Sequence, residues 1–130
     1  MKLMDFKKHK LLGKGAFSKV YLAEYKRKGK YALKEIKKEK LGPDTFSLCF
    51  NEIKIHQLIK SPHVIRYYGK ISTLDRLYIC LEYMDGMDLK HAIQVQREKG
   101  RVMSERSIWY ILHQICYGLK DLHKQKILHR

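Results

Sequence analysis

Alternation of apolar and polar residues predicts a run of strands in the first two-thirds of the chain. Segments rich in β-branched and aromatic residues occupy positions 6–12, 19–25, 30–36, 64–71 and 77–83. The turn at 26–29 would join the second and third of these into a hairpin. A helix is expected over 46–60, begun by Asp44 or Thr45 and ended before Pro62, because the residue before a proline avoids helical backbone. Five strands and one helix are therefore predicted before residue 84.

From residue 85 onward the pattern becomes helical. Asp88 can cap a helix that runs to about Lys99, and Gly100 suits the end of that helix. Ser104 can cap a second helix over 105–124. Its apolar residues recur at helical spacing: Ile108, Ile111, Leu112, Ile115, Leu119 and Leu122. This amphipathic helix needs a surface to pack against. We expect its apolar face, including Trp109 and Tyr110, to stay partly exposed and to favour self-association.

Composition fits a globular domain of a reducing compartment. Apolar residues make up 45% of the 130 residues and charged residues 32%. Cys49, Cys80 and Cys116 show no C-x-x-C spacing, which argues against both a disulfide framework and a zinc site. No segment resembles a signal peptide or approaches the ~18 apolar residues of a membrane span. The expected location is therefore the cytoplasm, with the nucleus as the alternative, and no membrane partner is expected.

The chain is strongly basic, with a formal net charge of +15. Two-thirds of the excess lies in residues 1–60, where 16 Lys and Arg face 6 Asp and Glu. Such an excess of positive charge is typical of proteins that bind nucleic acid. It equally fits an enzyme that handles phosphate. The basic residues are not interleaved with aromatic residues in a binding motif, so we favour the second interpretation.

A glycine-containing loop is the first candidate for phosphate chemistry. Gly13-Lys14-Gly15-Ala16-Phe17-Ser18 stands between two predicted strands. Glycines let the backbone approach an anion closely, so that amide groups can point at phosphates. A dinucleotide-binding loop would open a helix, whereas a strand follows here. Taken alone, the motif is equally consistent with a plain glycine hairpin.

A lysine and a glutamate form the second candidate pair. Lys34 lies in the apolar third strand, and Glu52 lies 18 residues later in the predicted helix. A lysine held by a helix carboxylate can act as a fixed cation for the α- and β-phosphates of a nucleotide. Separately, Lys34 could be a solvent-facing strand residue and Glu52 part of a solvated helix face.

Two further signals complete a characteristic order. Residues 77–84 form an apolar strand that leads into a polar linker, and residues 127–130 read Ile-Leu-His-Arg after the long helix. Gly13 to Lys34 spans 21 residues, Lys34 to Glu52 spans 18, and Leu81 to His129 spans 48. In this order and spacing, residues 5–130 resemble a eukaryotic protein kinase domain. Segments such as 96–100 and 126–130 are most similar to the NIMA-related serine/threonine kinases.

The resemblance implies an α+β, protein-kinase-like fold. Its N-lobe would be a five-stranded antiparallel sheet with one packed helix. Residues 1–84 would form the N-lobe and hinge, which bind ATP. Residues 85–130 would supply the first helices of an incomplete helical C-lobe.

Specific roles also follow from the resemblance. Lys34 and Glu52 would form the supporting ion pair, and His129 and Arg130 would begin the catalytic H-R-D loop. Leu81 matches the gatekeeper position, and the backbone of the hinge residues would bind adenine. His56, Tyr67 and His129 match the regulatory spine. The residues implied to contact ATP are Leu12, Gly13, Gly15, Phe17, Ser18, Val20, Ala32, Lys34, Leu81, Glu82 and Met84. Ser18 departs from the family pattern, which has a third glycine there.

The expected activity is transfer of the ATP γ-phosphate to protein hydroxyls, with ATP and Mg²⁺ as cofactors. The catalytic aspartate and the metal ligands of the family lie beyond His129-Arg130 and are absent from these 130 residues. We therefore expect this chain alone to be inactive and to represent the truncated front of a longer parent kinase. Its partners would be ATP and, for that parent, a protein substrate. The alternative is a non-catalytic kinase-like module that binds nucleotide or a regulatory protein.

Overall fold

Five antiparallel strands form one sheet in the spatial order β1-β2-β3-β5-β4. The computed structural model describes residues 1–26 and 29–128, except for the side chains at positions 43–46, 48 and 52. The strands are β1 (Phe6–Lys14), β2 (Ser18–Tyr25), β3 (Lys30–Lys37), β4 (Tyr67–Ser72) and β5 (Arg76–Glu82). This sheet, together with three helices, confirms the α+β, protein-kinase-like fold predicted from the sequence.

Two strand boundaries differ from the prediction by two residues or more, and the others agree to within one residue. β1 continues to Lys14, because Gly13 and Lys14 pair with Val20 and Lys19 across the hairpin. β4 begins at Tyr67 rather than at 64, because residues 61–64 leave the sheet and group with the helical part of the chain. Short 3₁₀ turns at Leu3–Asp5 and Lys38–Lys40 were not predicted.

The first helix, α1, spans Pro43–Leu58 and so begins three residues earlier than predicted. Its N-cap is Gly42, and neither Asp44 nor Thr45 has that role. The physical reason is Pro43. A proline at the first helical position fixes a helical φ and lacks only an N–H that would have no partner inside the helix. The sequence prediction treated this proline as part of a break.

Each face of the sheet carries its own apolar cluster. On one face, Ile36, Leu77 and Ile79 pack against Ile53 of α1. We refer to this as the α1 face. On the opposite face, which we call the outer face, Ala23, Leu33, Tyr78 and Cys80 form a second cluster. Leu3 and Phe6 pack on this second cluster, so the N-terminal segment covers part of the outer face.

The chain divides into two compact units: 1–60 with 65–83, and 61–64 with 84–130. The second unit contains α2 (Leu89–Glu98) and α3 (Glu105–Lys124). Both helices begin at the predicted caps, since Asp88 accepts a hydrogen bond from the His91 amide and Ser104 accepts one from the Ser107 amide. The predicted division into an N-lobe over 1–84 and a C-lobe from 85 stays a prediction.

Residues 61–64 pack on α3 within the second unit. The Ser61 hydroxyl donates to the Asp121 carboxylate at 2.5 Å, and the His63 ring stacks on Tyr117 with 5.2 Å between centroids. Gly118 allows this approach, because a Cβ atom there would lie 3.2 Å from the carbonyl oxygen of His63. The other side of α3 is less covered. Trp109 and Tyr110, for example, are 53% and 66% exposed, as the sequence predicted. None of the helices in the described part of the chain is long and apolar enough to span a bilayer.

Removing the α2 cap is expected to destabilise the second unit modestly. In Asp88→Ala, the His91 amide loses an acceptor that lies 2.7 Å away, at a cost of about 1 kcal/mol in unfolding free energy. Urea denaturation monitored by Trp109 fluorescence would measure this loss. The matched control is Asp85→Ala, since Asp85 is exposed and outside the cap. Equal stability of the two variants would refute a capping role for Asp88.

Candidate nucleotide-binding site

Strand register brings four of the predicted site residues to the α1 face of the sheet. Val20 of β2 pairs with Lys34 of β3, and Lys34 pairs with Ile79 of β5. These cross-strand partners form one row of residues. The next row on the same face lies two residues along each strand and contains Leu22, Ala32, Leu81 and Tyr67. Because side chains alternate between faces, these two rows project from the same side of the sheet as Ile36 of the α1-face cluster. Val20, Ala32, Lys34 and Leu81 thus share one surface.

Lys34 is half-buried between apolar neighbours on this surface. Its strand partners are Val20 on one side and Ile79 on the other. An ammonium group in apolar surroundings is costly unless an anion accompanies it, and a phosphate would meet that need. Glu52 lies in α1, but its side chain is outside the described residues. The ion pair between Lys34 and Glu52 therefore stays a prediction.

The glycine loop closes the end of the β1–β2 hairpin. The Gly15 amide donates to the Ser18 carbonyl oxygen at 2.8 Å. A Cβ atom at Gly15 would lie 3.2 Å from the Ser18 hydroxyl, whereas one at Gly13 would meet open space. Leu12 and Gly13 are exposed at the end of β1, and Phe17 at the loop tip is 51% exposed.

A side chain is compatible with the backbone at Ser18, the position where the family pattern has a third glycine. Among the described non-glycine residues, only Lys26 and Lys126 have a positive φ. Ser18 begins β2 and pairs with Ile36 of β3 in the regular register. The conformation at this position therefore does not require a glycine.

The end of β5 holds the first predicted hinge residue. The Glu82 amide donates to the Arg66 carbonyl oxygen at 2.9 Å, and its carboxylate accepts from the Arg66 amide at 3.0 Å. Because this amide already donates to Arg66, the Glu82 backbone could bind adenine only by accepting a hydrogen bond at its carbonyl oxygen. Met84 is exposed and belongs to the second unit, and His129 and Arg130 lie outside the described residues. Their roles in the site stay predictions.

Leu22 and Ile79 lie on the site surface but were not identified from the sequence. Both occupy the same rows as Ala32 and Lys34. Period-two alternation from Val20 would have indicated Leu22, whereas Ile79 could be identified only from the pairing of β3 with β5. The two predicted spine residues of this unit are neighbours, since the rings of His56 and Tyr67 lie 6.1 Å apart. Nε2 of His56 also donates to the Ile65 carbonyl oxygen at 2.8 Å.

Glu35, next to Lys34, faces the outer side of the sheet and was not identified from the sequence. It is 4% exposed, and its carboxylate binds both Lys8 and Arg76. Burial alone would raise the pKa of Glu35, but the two cations outweigh burial and hold the pKa below its usual value. On the same face, burial raises the pKa of the Cys80 thiol to about 11, so this group is a neutral core residue rather than a nucleophile.

Among the residues that the structure describes, no three His, Cys, Asp or Glu side chains converge as a metal site would require. The site on this unit is therefore built from a glycine loop, an apolar surface and one half-buried lysine. An apolar surface suits the flat face of a nucleobase, and the lysine with loop amides suits phosphates.

Comparison with known proteins agrees with this arrangement. Residues 6–130 match the protein kinase domain family. The chain belongs to the protein kinase family. Its relatives include the human serine/threonine-protein kinase Nek5, which is 36% identical over 124 residues, and the probable serine/threonine-protein kinase nek2 of Dictyostelium discoideum, which is 37% identical over 125 residues. Mouse serine/threonine-protein kinase PLK2 is 34% identical over 123 residues.

The kinase relatives confirm the resemblance to NIMA-related serine/threonine kinases. The matches cover 93% of this chain for Nek5 and PLK2 and 92% for nek2. In the other direction, the chain spans only 17% of Nek5, 17% of PLK2 and 30% of nek2. The comparison therefore concerns the kinase domain and does not extend to the remaining parts of these relatives.

Proposed function

We propose that this chain forms the ATP-binding part of a serine/threonine protein kinase that transfers the γ-phosphate of ATP to protein hydroxyl groups. The observation that carries the proposal is the shared surface of Val20, Ala32, Lys34 and Leu81 in a member of the protein kinase family. Val20 belongs to the β1–β2 hairpin, and the glycine loop connects the two strands of that hairpin.

Each part of the surface has a defined task in this proposal. Val20 and Ala32 contact the adenine ring, and the Glu82 carbonyl oxygen accepts a hydrogen bond from it. Lys34 holds the α- and β-phosphates, and Glu52 keeps Lys34 in place. In the transfer itself, the bond from the γ-phosphorus to the bridging oxygen breaks, ADP leaves, and the substrate oxygen gains the phosphoryl group and loses its proton. Positioning and charge stabilisation supply most of the catalysis in such reactions.

We also propose that these 130 residues do not perform transfer by themselves. The sequence contains no D-F-G segment, and its one asparagine is Asn51 in α1. Mg²⁺ neutralises the phosphates in kinases, but the described residues offer no ligand set for it. A parent protein would supply the catalytic aspartate after His129-Arg130, the metal ligands and the protein-substrate surface, and it would act in the cytoplasm or the nucleus.

Labelling with an acyl phosphate of ATP tests the proposed nucleotide site. Such a probe acylates a lysine amine that lies beside its phosphates, and peptide mass spectrometry locates the modified residue. We expect acylation of Lys34 that excess ADP suppresses by about tenfold or more, because ADP occupies the same phosphate position. Lys19, its close neighbour on the outer face, provides the internal control, and its acylation should not respond to ADP.

The outcomes separate the competing functions. Protected labelling at Lys34 without phosphate transfer to casein supports a nucleotide site in a chain that is inactive alone. Transfer that Lys34→Ala abolishes would overturn the proposed inactivity. Unprotected labelling spread over many lysines would refute the nucleotide site and would favour the alternative of a module that binds a regulatory protein.

A further inference from the structure

Four lysines surround a small cleft beside the glycine loop. Lys14, Lys19, Lys37 and Lys40 line it, together with Ser18 and Glu35. The cleft has a volume of about 70 Å³. We call it the lysine cleft. A space of this size suits one compact anionic group rather than a whole nucleotide.

The lysine cleft lies on the outer face, opposite the proposed nucleotide surface. Lys19 pairs with Glu35 in the β2–β3 register, one residue away from the pairing of Val20 with Lys34. Neighbouring residues of a strand project to opposite faces, so Lys19 and Glu35 point away from Lys34. Glu35 also bonds to Lys8 and Arg76 on the outer face. The positive charge at the cleft therefore belongs to a second site.

The positive charge in the cleft is largely uncompensated. Within the described part of the chain, Lys14, Lys19 and Lys40 have no ion-pair partner, and Lys37 has an exposed partner in Glu39 at 3.2 Å. The carboxylate of Glu35 is already neutralised by Lys8 and Arg76. Four cations around one small space repel each other until an anion enters. The net charge of +15 adds a long-range attraction for such an anion.

We infer that the lysine cleft binds a phosphoserine or phosphothreonine side chain of a protein segment. A phosphomonoester carries close to two negative charges and three acceptor oxygens, which several lysines can satisfy together. The exposed Phe17 ring lies at the same cleft and offers an apolar contact for a neighbouring residue of the segment. Nucleic acid would instead need a row of cations along a continuous groove.

Occupation of the lysine cleft would also affect the glycine loop. Lys14 and Lys19 are paired at the base of the loop, and Ser18 is hydrogen-bonded through its carbonyl oxygen to Gly15. A phosphate that bridges these residues to Lys37 and Lys40 would tie the loop to the end of β3. The bound segment would thus restrict loop motion on one side while the other side remains available for a nucleotide.

Fluorescence anisotropy tests this inference. The probe is a short fluorescein-labelled peptide of alanine and glutamine with one central phosphoserine, compared with its serine twin. We expect binding of the phosphopeptide alone, weakened about tenfold or more by Lys37→Ala with Lys40→Ala. The charge-matched control, Lys54→Ala with Lys60→Ala, alters exposed lysines of the same unit outside the cleft and should change affinity less than about twofold. Lys14→Ala with Lys19→Ala provides a second, independent cleft variant.

Three results would overturn the inference. Equal binding of the two peptides would remove the role of phosphate. Equal losses of phosphopeptide affinity in the cleft and control variants would show a diffuse charge effect. Binding of a single-stranded oligonucleotide that all variants weaken to the same extent would show the same. Competition by ATP, or loss of phosphopeptide binding in Lys34→Ala, would place the peptide at the nucleotide surface instead. Because Lys34→Ala should leave the lysine cleft intact, failure of the nucleotide site and failure of the lysine cleft can be distinguished.

Discussion

Glu35→Ala is expected to lower the unfolding free energy of the first unit by about 3 kcal/mol at neutral pH. The Glu35 carboxylate is 4% exposed and binds Lys8 of β1 and Arg76 of β5. Its removal takes the carboxylate from Lys8, leaves Arg76 with only the exposed Asp75, and opens a gap beside Tyr78. The expected loss is at the low end for buried ion pairs, because the side chains of Lys8 and Arg76 are 34% and 35% exposed and water can partly solvate them.

Hydrogen exchange of peptides from β3 and β5, measured by mass spectrometry, reports the stability of this unit directly. The control is Glu24→Ala, which removes the partner of His9 in an exposed pair at 3.3 Å. We expect that control to cost less than about 0.5 kcal/mol. If the amides of β3 and β5 exchanged equally fast in Glu35→Ala and Glu24→Ala, the ion pairs of Glu35 would contribute no more to stability than an exposed surface pair.

The same carboxylate should make stability depend on pH in a defined direction. The folded-state pKa of Glu35 lies below its ordinary value of 4.5. A group with a lowered folded pKa contributes stability above its unfolded pKa, and that contribution disappears as the pH falls through the folded pKa. The stability gap between the native chain and Glu35→Gln should therefore be widest at neutral pH and should narrow below 4.5. A gap that widened on acidification would contradict this assignment.

Local patterns were sufficient to predict most elements of the fold. The strands alternate with period two, and α2 and α3 begin at Asp88 and Ser104, whose side chains accept hydrogen bonds from the first turn. Such caps depend only on neighbouring residues. The start of α1 was wrong because proline signals both a break and a first helical turn, and the local sequence at Pro43 does not separate the two. The start of β4 was wrong because residues 61–64 pack on α3, which lies far along the chain.

The candidate site was predictable only through the family resemblance and the register. Motif spacing selected Lys34 and Ala32, and the β2–β3 pairing then places Val20 beside Lys34. Ile79 and the pairs of Glu35 depend on β5 lying next to β3, an order that no local pattern encodes. Alternation places Glu35, one position after the proposed nucleotide lysine, on the opposite face of the sheet, but it does not indicate whether that residue is buried. Only the arrangement of β1, β3 and β5 reveals that it is buried and doubly paired.

The alternation of β3 therefore separates two electrostatic tasks by one residue. Lys34 faces the α1 side, where a nucleotide phosphate would compensate its charge. Glu35 faces the outer side, where it neutralises Lys8 and Arg76 and leaves the lysine cleft as the positive region of that face. Replacing a lysine by alanine on the α1 face should therefore weaken nucleotide binding, whereas the same replacement in the lysine cleft should weaken phosphopeptide binding. A lysine on the outer face can thus serve as a control for Lys34.

Lys34→Ala is expected to weaken ATP binding by about tenfold to a hundredfold, because charge-assisted hydrogen bonds to the α- and β-phosphates are lost. Adenosine, which has no phosphates, should bind the native chain and the variant equally within about twofold, since the apolar surface of Val20, Ala32 and Leu81 is unchanged. Isothermal titration calorimetry of both ligands measures the two effects separately. A loss of adenosine binding would indicate that the variant has disturbed the surface itself.

Lys19→Ala provides the matched control for Lys34→Ala. Lys19 is one residue from Val20, the strand partner of Lys34, and projects to the opposite face, so the two variants remove the same charge from nearly the same position. A diffuse attraction between ATP and a chain of net charge +15 would make both variants lose affinity alike. A specific contact makes only Lys34→Ala lose affinity. Equal losses would therefore reject Lys34 as the phosphate-binding residue even if ATP binds the chain tightly.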